Sequence, residues 1–206
     1  MNSSHANEND TKHAMPTTYY QFLEISVREL LIEKGLLSTE DIHKTVEEMD
    51  SRGPELGAQV IARAWIDPQF KQSLLQNAPS AVKALGIDIG PLQLLVVENT
   101  SEVHNLIVCT LCSCYPRSLL GLPPDWYKSR EYRSRAVREP RSVLQEFGTD
   151  IPDEVEVRVH DSTADLRYLV LPQRPEGTGH LTEDELVSLV KRDSMIGVIT
   201  VDYYEN

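Results

Sequence analysis

Leu106-Ile107-Val108-Cys109-Thr110-Leu111-Cys112-Ser113-Cys114 is the stretch on which the reading of this chain turns. Its apolar, β-branched opening reads as a strand. That strand delivers the chain without a break into a loop holding all three cysteines of the protein. Thiols gathered in one loop, with none elsewhere, do not make a disulfide framework and point instead to a metal or to redox chemistry. A strand end is rigid, which suits a site of fixed geometry. Cys112 and Cys114 flank a single serine, so the amide nitrogens of Ser113 and Cys114 lie between the two sulfurs. Two thiolates and two deprotonated amides can close a planar clamp on one ion. Cys109, three residues before Cys112, can then reach that ion axially and leave the opposite position open. Mixed sulfur and nitrogen donors of this kind suit cobalt, nickel or iron, and a deprotonated amide calls for a strongly Lewis-acidic, trivalent ion. The same spacing also accommodates tetrahedral zinc, with His104 as a fourth ligand, or a redox dithiol. Spacing alone leaves these alternatives open.

Outward from the loop, the chain divides by pattern. Residues 1–16 are polar and without periodicity, the composition of a disordered tail. From 17 to 86 the signals are helical. Phe22, Ile25, Leu30 and Leu31 recur near helical spacing up to a stop at Gly35. Ser38 with Asp41 three residues on starts a second helix running to about 51. Further helices are expected over about 55–65, 68–76 and 78–85, the last ended by Gly86. These helices are short and only partly amphipathic, as in an arm that packs on a partner subunit. From 87 to 206 the pattern mixes strands (about 94–98, 106–108, 155–159 and 167–171) with short helices, including one capped by Thr182 and Glu185. The fold class expected is α+β: an N-terminal helical arm, then a mixed α/β-layered domain carrying the cysteine loop.

Composition narrows the function classes. The chain has 206 residues and a formal net charge of −12, which opposes binding to nucleic acid or to an anionic membrane. No apolar run has the length of a membrane span, and the N-terminus has no apolar signal segment. Free cysteines without a secretory signal are expected in a reducing cytoplasm. Residues 117–141 are rich in arginine, but Asp125, Glu131 and Glu139 are interleaved and few aromatics accompany them. That reads as a solvated or interface helix face rather than a nucleic-acid site.

Several ordered blocks then carry a resemblance. Glu98-Asn99-Thr100, the stretch from Val103 through the cysteine loop to Tyr115-Pro116, and Leu120-Gly121-Leu122-Pro123-Pro124-Asp125-Trp126-Tyr127-Lys128 closely resemble the α subunit of nitrile hydratase. So do Tyr132-Arg133-Ser134-Arg135, Val155 to Val159, Leu166-Arg167-Tyr168, Leu171 to Pro175 and Arg192 to Gly197, so that the resemblance covers roughly residues 18–198. It implies that Cys109, Cys112, Cys114 and the amides of Ser113 and Cys114 hold one metal ion. It also implies that Cys112 is oxidised to sulfinic acid and Cys114 to sulfenic acid, and that these two are the catalytic residues. Thr110 and Tyr115, beside the ligands, match the cobalt type, where iron-type members carry Ser and Thr. The implied cofactor is therefore one cobalt(III) rather than iron. The implied partners are a β-type subunit, whose arginines protect the oxygenated sulfurs, and an accessory protein that loads the metal. The implied reaction is hydration of a small nitrile to its amide.

Three departures bear on the substrate. Arg117 stands where most such enzymes have tryptophan, His160 replaces another tryptophan, and Gly90-Pro91-Leu92 replaces a Gln-Gly-Glu stretch. Arginine at Arg117 resembles the γ subunit of thiocyanate hydrolase, and a positive charge there suits an anionic substrate. The expected order is thus nitrile hydratase, then thiocyanate hydrolase, then a non-catalytic zinc-binding subunit. Arg117 is the expected pocket residue, with a surface or subunit-interface charge as its plainer reading.

Overall fold

The computed structural model describes residues 18–203; the disorder expected for residues 1–16 lies outside them. Helix α1 (Tyr19–Glu33) begins with a capping box in which the Thr18 hydroxyl accepts from the Gln21 amide and the Gln21 side chain accepts from the Thr18 amide. Helix α2 (Thr39–Asp50) is entered as expected, with Ser38 and Asp41 capping one another. The chain divides into two compact units at Glu47–Glu48, inside α2. The first unit buries none of the side chains of α1, and Phe22, Leu23, Val27 and Leu30 are exposed.

The single arm expected over 17–86 is therefore divided. Helices α3 (Glu55–Ile66), α4 (Pro68–Gln76) and α5 (Ala78–Ala84) belong to the second unit. Helix α3 is the reason. Val60, Ile61, Ala62 and Ala64 are buried in the main core. At Gly57 a Cβ would collide with the Leu120 and Met195 side chains, so glycine lets the helix approach them. Asp67 then caps α4 by accepting from the Gln69 and Phe70 amides.

Two parallel strand pairs follow. β1 (Gln93–Glu98) pairs with β4 (Leu166–Leu171), and β2 (Val103–Val108) pairs with β3 (Glu156–Asp161). The strands near residues 155 and 167, though neighbours in sequence, are not partners of one another. Each is claimed by a strand far earlier in the chain, because parallel pairing needs a long crossover. The crossover between β2 and β3 carries the cysteine loop, α6 (Arg117–Leu120), α7 (Asp125–Lys128), α8 (Arg130–Arg138) and α9 (Pro140–Glu146). Burial from Leu106 to Val108 and from Leu169 to Leu171 explains why both strands read as unbroken apolar runs. Trp126, Tyr132 and Phe147 meet edge to face, with centroids 4.9 Å and 4.7 Å from the Trp126 ring. Helices α10 (Glu183–Leu189), capped by Thr182 and Glu185 as expected, and α11 (Arg192–Ile196) complete the unit. The fold is α+β. Among the described residues no helix is long and apolar enough to cross a membrane.

Candidate metal centre

The backbone leaves β2 at Val108 and turns at once through the three cysteines. Their sulfurs all lie within 4.8 Å of one another. Cys112 Sγ stands 3.4 Å from Cys109 Sγ and 3.2 Å from Cys114 Sγ. Cys109 and Cys114 are buried, whereas Cys112 is exposed. The amides of Ser113 and Cys114 lie in the chain between the sulfurs of Cys112 and Cys114. Hydrogen bonds from Cys114 first, then Cys109, joined by those two amides, hold the Cys112 thiol below the usual thiol range. Burial pushes the Cys114 thiol above it. A thiolate is the form of cysteine that binds a metal.

Both ends of the loop are fixed by distant side chains. At its start, the Thr110 amide and hydroxyl donate to the two carboxylate oxygens of Asp161 at 2.9 Å and 2.6 Å. Arg133 Nη1 reaches the Thr110 carbonyl at 3.5 Å. At its end, the buried Tyr127 hydroxyl donates to the Cys114 carbonyl at 2.8 Å. Tyr115 is buried with its ring against Tyr127, centroids 5.3 Å apart, and burial raises its phenol above the ordinary range. It stays neutral and serves as packing beneath the cysteines.

The loop borders a cleft of about 690 Å³ lined by Cys112, Ser113, Cys114, Arg117, Asp165 and Arg167, among others. Arg117, the first residue of α6, is exposed and does face this cleft. His104 does not join the cysteines, which corrects the zinc reading. Asn99 Oδ1 accepts from the Asn105 amide and side chain, which turns the Asn99 amide group toward His104 Nδ1 at 3.3 Å. The imidazole proton is thereby placed on Nε2, which donates to the Gly197 carbonyl at 2.8 Å. Tied on both nitrogens and buried, His104 is a structural histidine. His160 likewise sits outside the site, donating to Asn105 Oδ1 at 2.8 Å and packing on Tyr168.

A profile for the nitrile hydratase alpha chain matches residues 18–199. The chain belongs to that family. It is 54% identical over 177 residues to the alpha subunit of the low-molecular weight cobalt-containing nitrile hydratase of Rhodococcus rhodochrous, covering 84% of each chain. It is 44% identical over 191 residues to the gamma subunit of thiocyanate hydrolase from Thiobacillus thioparus, covering 87% of this chain and 79% of that one. A recombinant thiocyanate hydrolase with partially modified cobalt centres superposes with a TM-score of 0.83 at 40% identity, over 93% of this chain and 96% of that one. Cobalt-type relatives and a clustered set of three sulfurs together support a metal cofactor in this family member.

Asp161, Tyr127 and Arg167 are absent from the sequence-based site. Asp161 follows His160 at the edge of a recognised block, but nothing local tells that its carboxylate reaches Thr110, 51 residues away. Arg167 carried a signal that went unused: it is a cation inside the apolar run of β4.

Proposed function

We propose that this chain is the metal-binding, catalytic α-type subunit of a cobalt nitrile hydratase. The observation that carries the reading is the convergence of Cys109, Cys112 and Cys114 within 4.8 Å beside an open cleft, in a chain 54% identical to a cobalt-containing relative. The donor set fits cobalt. Three sulfurs are gathered, and the amides of Ser113 and Cys114 lie between the last two of them along the chain, a mixed sulfur and nitrogen donor set of the kind that suits cobalt. Cys109, Cys112, Cys114 and those two amide nitrogens would hold one ion. When bound, cobalt(III) supplies Lewis acidity toward the nitrile nitrogen.

The remaining chemistry belongs to the chain. With dioxygen as oxidant, Cys112 becomes a sulfinic acid and Cys114 a sulfenic acid. The Cys114 oxygen then takes a proton from a water that attacks the nitrile carbon, or itself attacks that carbon, in which case the sulfur–oxygen bond breaks as the amide forms and the water's oxygen replaces it on Cys114. Across the whole reaction one water adds to the carbon–nitrogen triple bond, its oxygen going to carbon and its two protons to nitrogen, and an amide leaves. Asp161 and Tyr127 hold the loop so that the sulfurs keep their positions. Thr110 and Tyr115 support the cobalt rather than the iron assignment.

A β-type subunit completes the site and shields the oxygenated sulfurs, and a metal-loading accessory protein serves it. Leu111, 87% exposed at the tip of the loop, is suited to burial against such a subunit. The assembly works in the cytoplasm on a small nitrile. A second reading, a γ-type subunit of a thiocyanate hydrolase, is favoured by Arg117 on the cleft wall. The test is to co-express the chain with its β-type partner, accessory protein and cobalt, then offer propionitrile and thiocyanate separately. Propionamide as the main product supports the first reading, and carbonyl sulfide with ammonia supports the second. Neither product from a cobalt-loaded complex contradicts both.

A further inference from the structure

The buried hydroxyls of the second unit are mostly satisfied. Thr149, Thr178 and Ser194 each donate to a backbone carbonyl, at 2.8, 2.7 and 2.7 Å. Ser162 is different. It is the residue after β3, 2% exposed, and its Oγ is shut off from solvent with no hydrogen-bond partner among the described residues. A buried hydroxyl without an acceptor is unfavourable, and one kept in a tight core calls for a reason.

Its surroundings supply one. The Ser162 amide donates at 2.7 Å to the carbonyl of Val108, the residue before Cys109. Asp161, its neighbour, accepts from the amide of Thr110, the residue after Cys109. The end of β3 therefore grips the backbone on both sides of Cys109, and Ser162 is the buried half of that grip. Cys109 is itself buried. The Tyr127 hydroxyl, which donates to the Cys114 carbonyl, senses both side chains. Burial raises its phenol, charge on Cys109 raises it further, and the Ser162 hydroxyl acts the opposite way from outside hydrogen-bond geometry. The Cys109 sulfur accepts one N–H, that of Cys112 at 3.3 Å, and has lone pairs left for a second donor. A thiol is a weak acceptor, whereas a thiolate is a strong one. We propose that Ser162 is a positioning residue whose hydroxyl donates to the Cys109 sulfur when that sulfur binds the metal. The inference rests on the nitrile hydratase reading, in which Cys109 is a ligand. A hydrogen bond to a ligating sulfur draws electron density away from the metal. Ser162 thereby strengthens the Lewis acidity that cobalt offers a nitrile.

The test uses the full chain in complex with its β-type partner, prepared with cobalt and without. The variants are Ser162→Ala, Tyr127→Phe and the two combined. Absorption spectra read the sulfur-to-cobalt charge-transfer band, metal analysis reads cobalt per chain, and kcat is measured for propionitrile. Ser162→Ala should keep its cobalt and move the band to longer wavelength, because a sulfur relieved of a hydrogen bond gives up an electron more readily. Its kcat should fall about tenfold. Without cobalt, the variant complex should unfold at the same denaturant midpoint or a higher one, because the hydroxyl removed has no partner. A lower midpoint with an unmoved band would mean a merely structural hydroxyl and overturn the proposal. Any unmoved band with cobalt bound overturns it, while propionitrile turnover by the unsubstituted complex leaves the nitrile hydratase reading standing. If Tyr127→Phe moves the band equally and the combined variant moves it no further, the hydroxyl serves Tyr127, and the proposal is again overturned. Should Ser162→Ala fail to assemble, the unsubstituted complex decides. Its cobalt–sulfur vibrations in resonance Raman spectra must then shift in deuterated water, or the proposal falls. An unsubstituted complex that takes up no cobalt contradicts the nitrile hydratase reading, and the inference falls with it.

Discussion

The amide and the hydroxyl of Thr110 both donate to one carboxylate, that of Asp161, at 2.9 Å and 2.6 Å. Thr110 is the residue after the first cysteine, and Asp161 ends β3 in register with Val108. The strand pair thus reaches past its last hydrogen-bonded residue and takes hold of the loop. Asp161→Ala should release that end. The bonds are solvent-exposed, so the loss of stability should be only about 1 kcal/mol. The larger effect should be on the site, read as less cobalt per chain by metal analysis at unchanged secondary structure by circular dichroism. Full cobalt retention would mean that the loop does not depend on this hold.

The other end depends on Tyr127. Its hydroxyl is buried and bonds to the Cys114 carbonyl, so Tyr127→Phe leaves that acceptor unpaired in a tight core. The expected cost is about 1–2 kcal/mol, seen as a lower denaturant midpoint with an unchanged slope.

Gly197 sits at φ +88°, and a Cβ there would run into the Asn105 carbonyl oxygen. Gly197→Ala therefore combines a left-handed backbone with a clash against β2, and should cost more than about 2 kcal/mol. A thermal melt checks it. Because Gly197 also accepts from His104, loss of soluble protein is an expected form of this result.

Acid should act through His104. Burial holds its folded-state pKa below the ordinary 6.5. The unfolded chain therefore binds a proton that the folded chain refuses. The contribution of His104 is fully present above about pH 6.5 and is lost as pH falls toward the folded value, by at most about 1.4 kcal/mol per unit. His160, also lowered by burial, acts in the same direction. His104→Gln should flatten the dependence of unfolding free energy on pH below 6.5; an unchanged slope would contradict this.

Much of this protein is written locally. The cap at Ser38–Asp41, the stop at Gly35 and the Thr182–Glu185 box depend on neighbours three or four residues apart, and each appears where its residues predict. The apolar runs of β2 and β4 announce burial on both faces. The cysteine loop is legible because its donors sit within six residues and chelation is a local property. What was hidden depends on distance along the chain. His104 looked available for a metal because its acceptor, Gly197, lies 93 residues on. The strand partners could not be read because a parallel pair is set by what the crossover packs against. Arg167 is visible in sequence as part of the block Leu166-Arg167-Tyr168, but that its Nε is buried without a partner depends on packing.

The central claim is that Cys109, Cys112 and Cys114 form an oxidised cobalt centre. The most direct test is intact mass with metal analysis on the chain purified with its β-type partner, after expression with accessory protein and cobalt. The account predicts one cobalt per chain and three added oxygens, two on Cys112 and one on Cys114. Zinc held by unmodified thiols under those same conditions would contradict it.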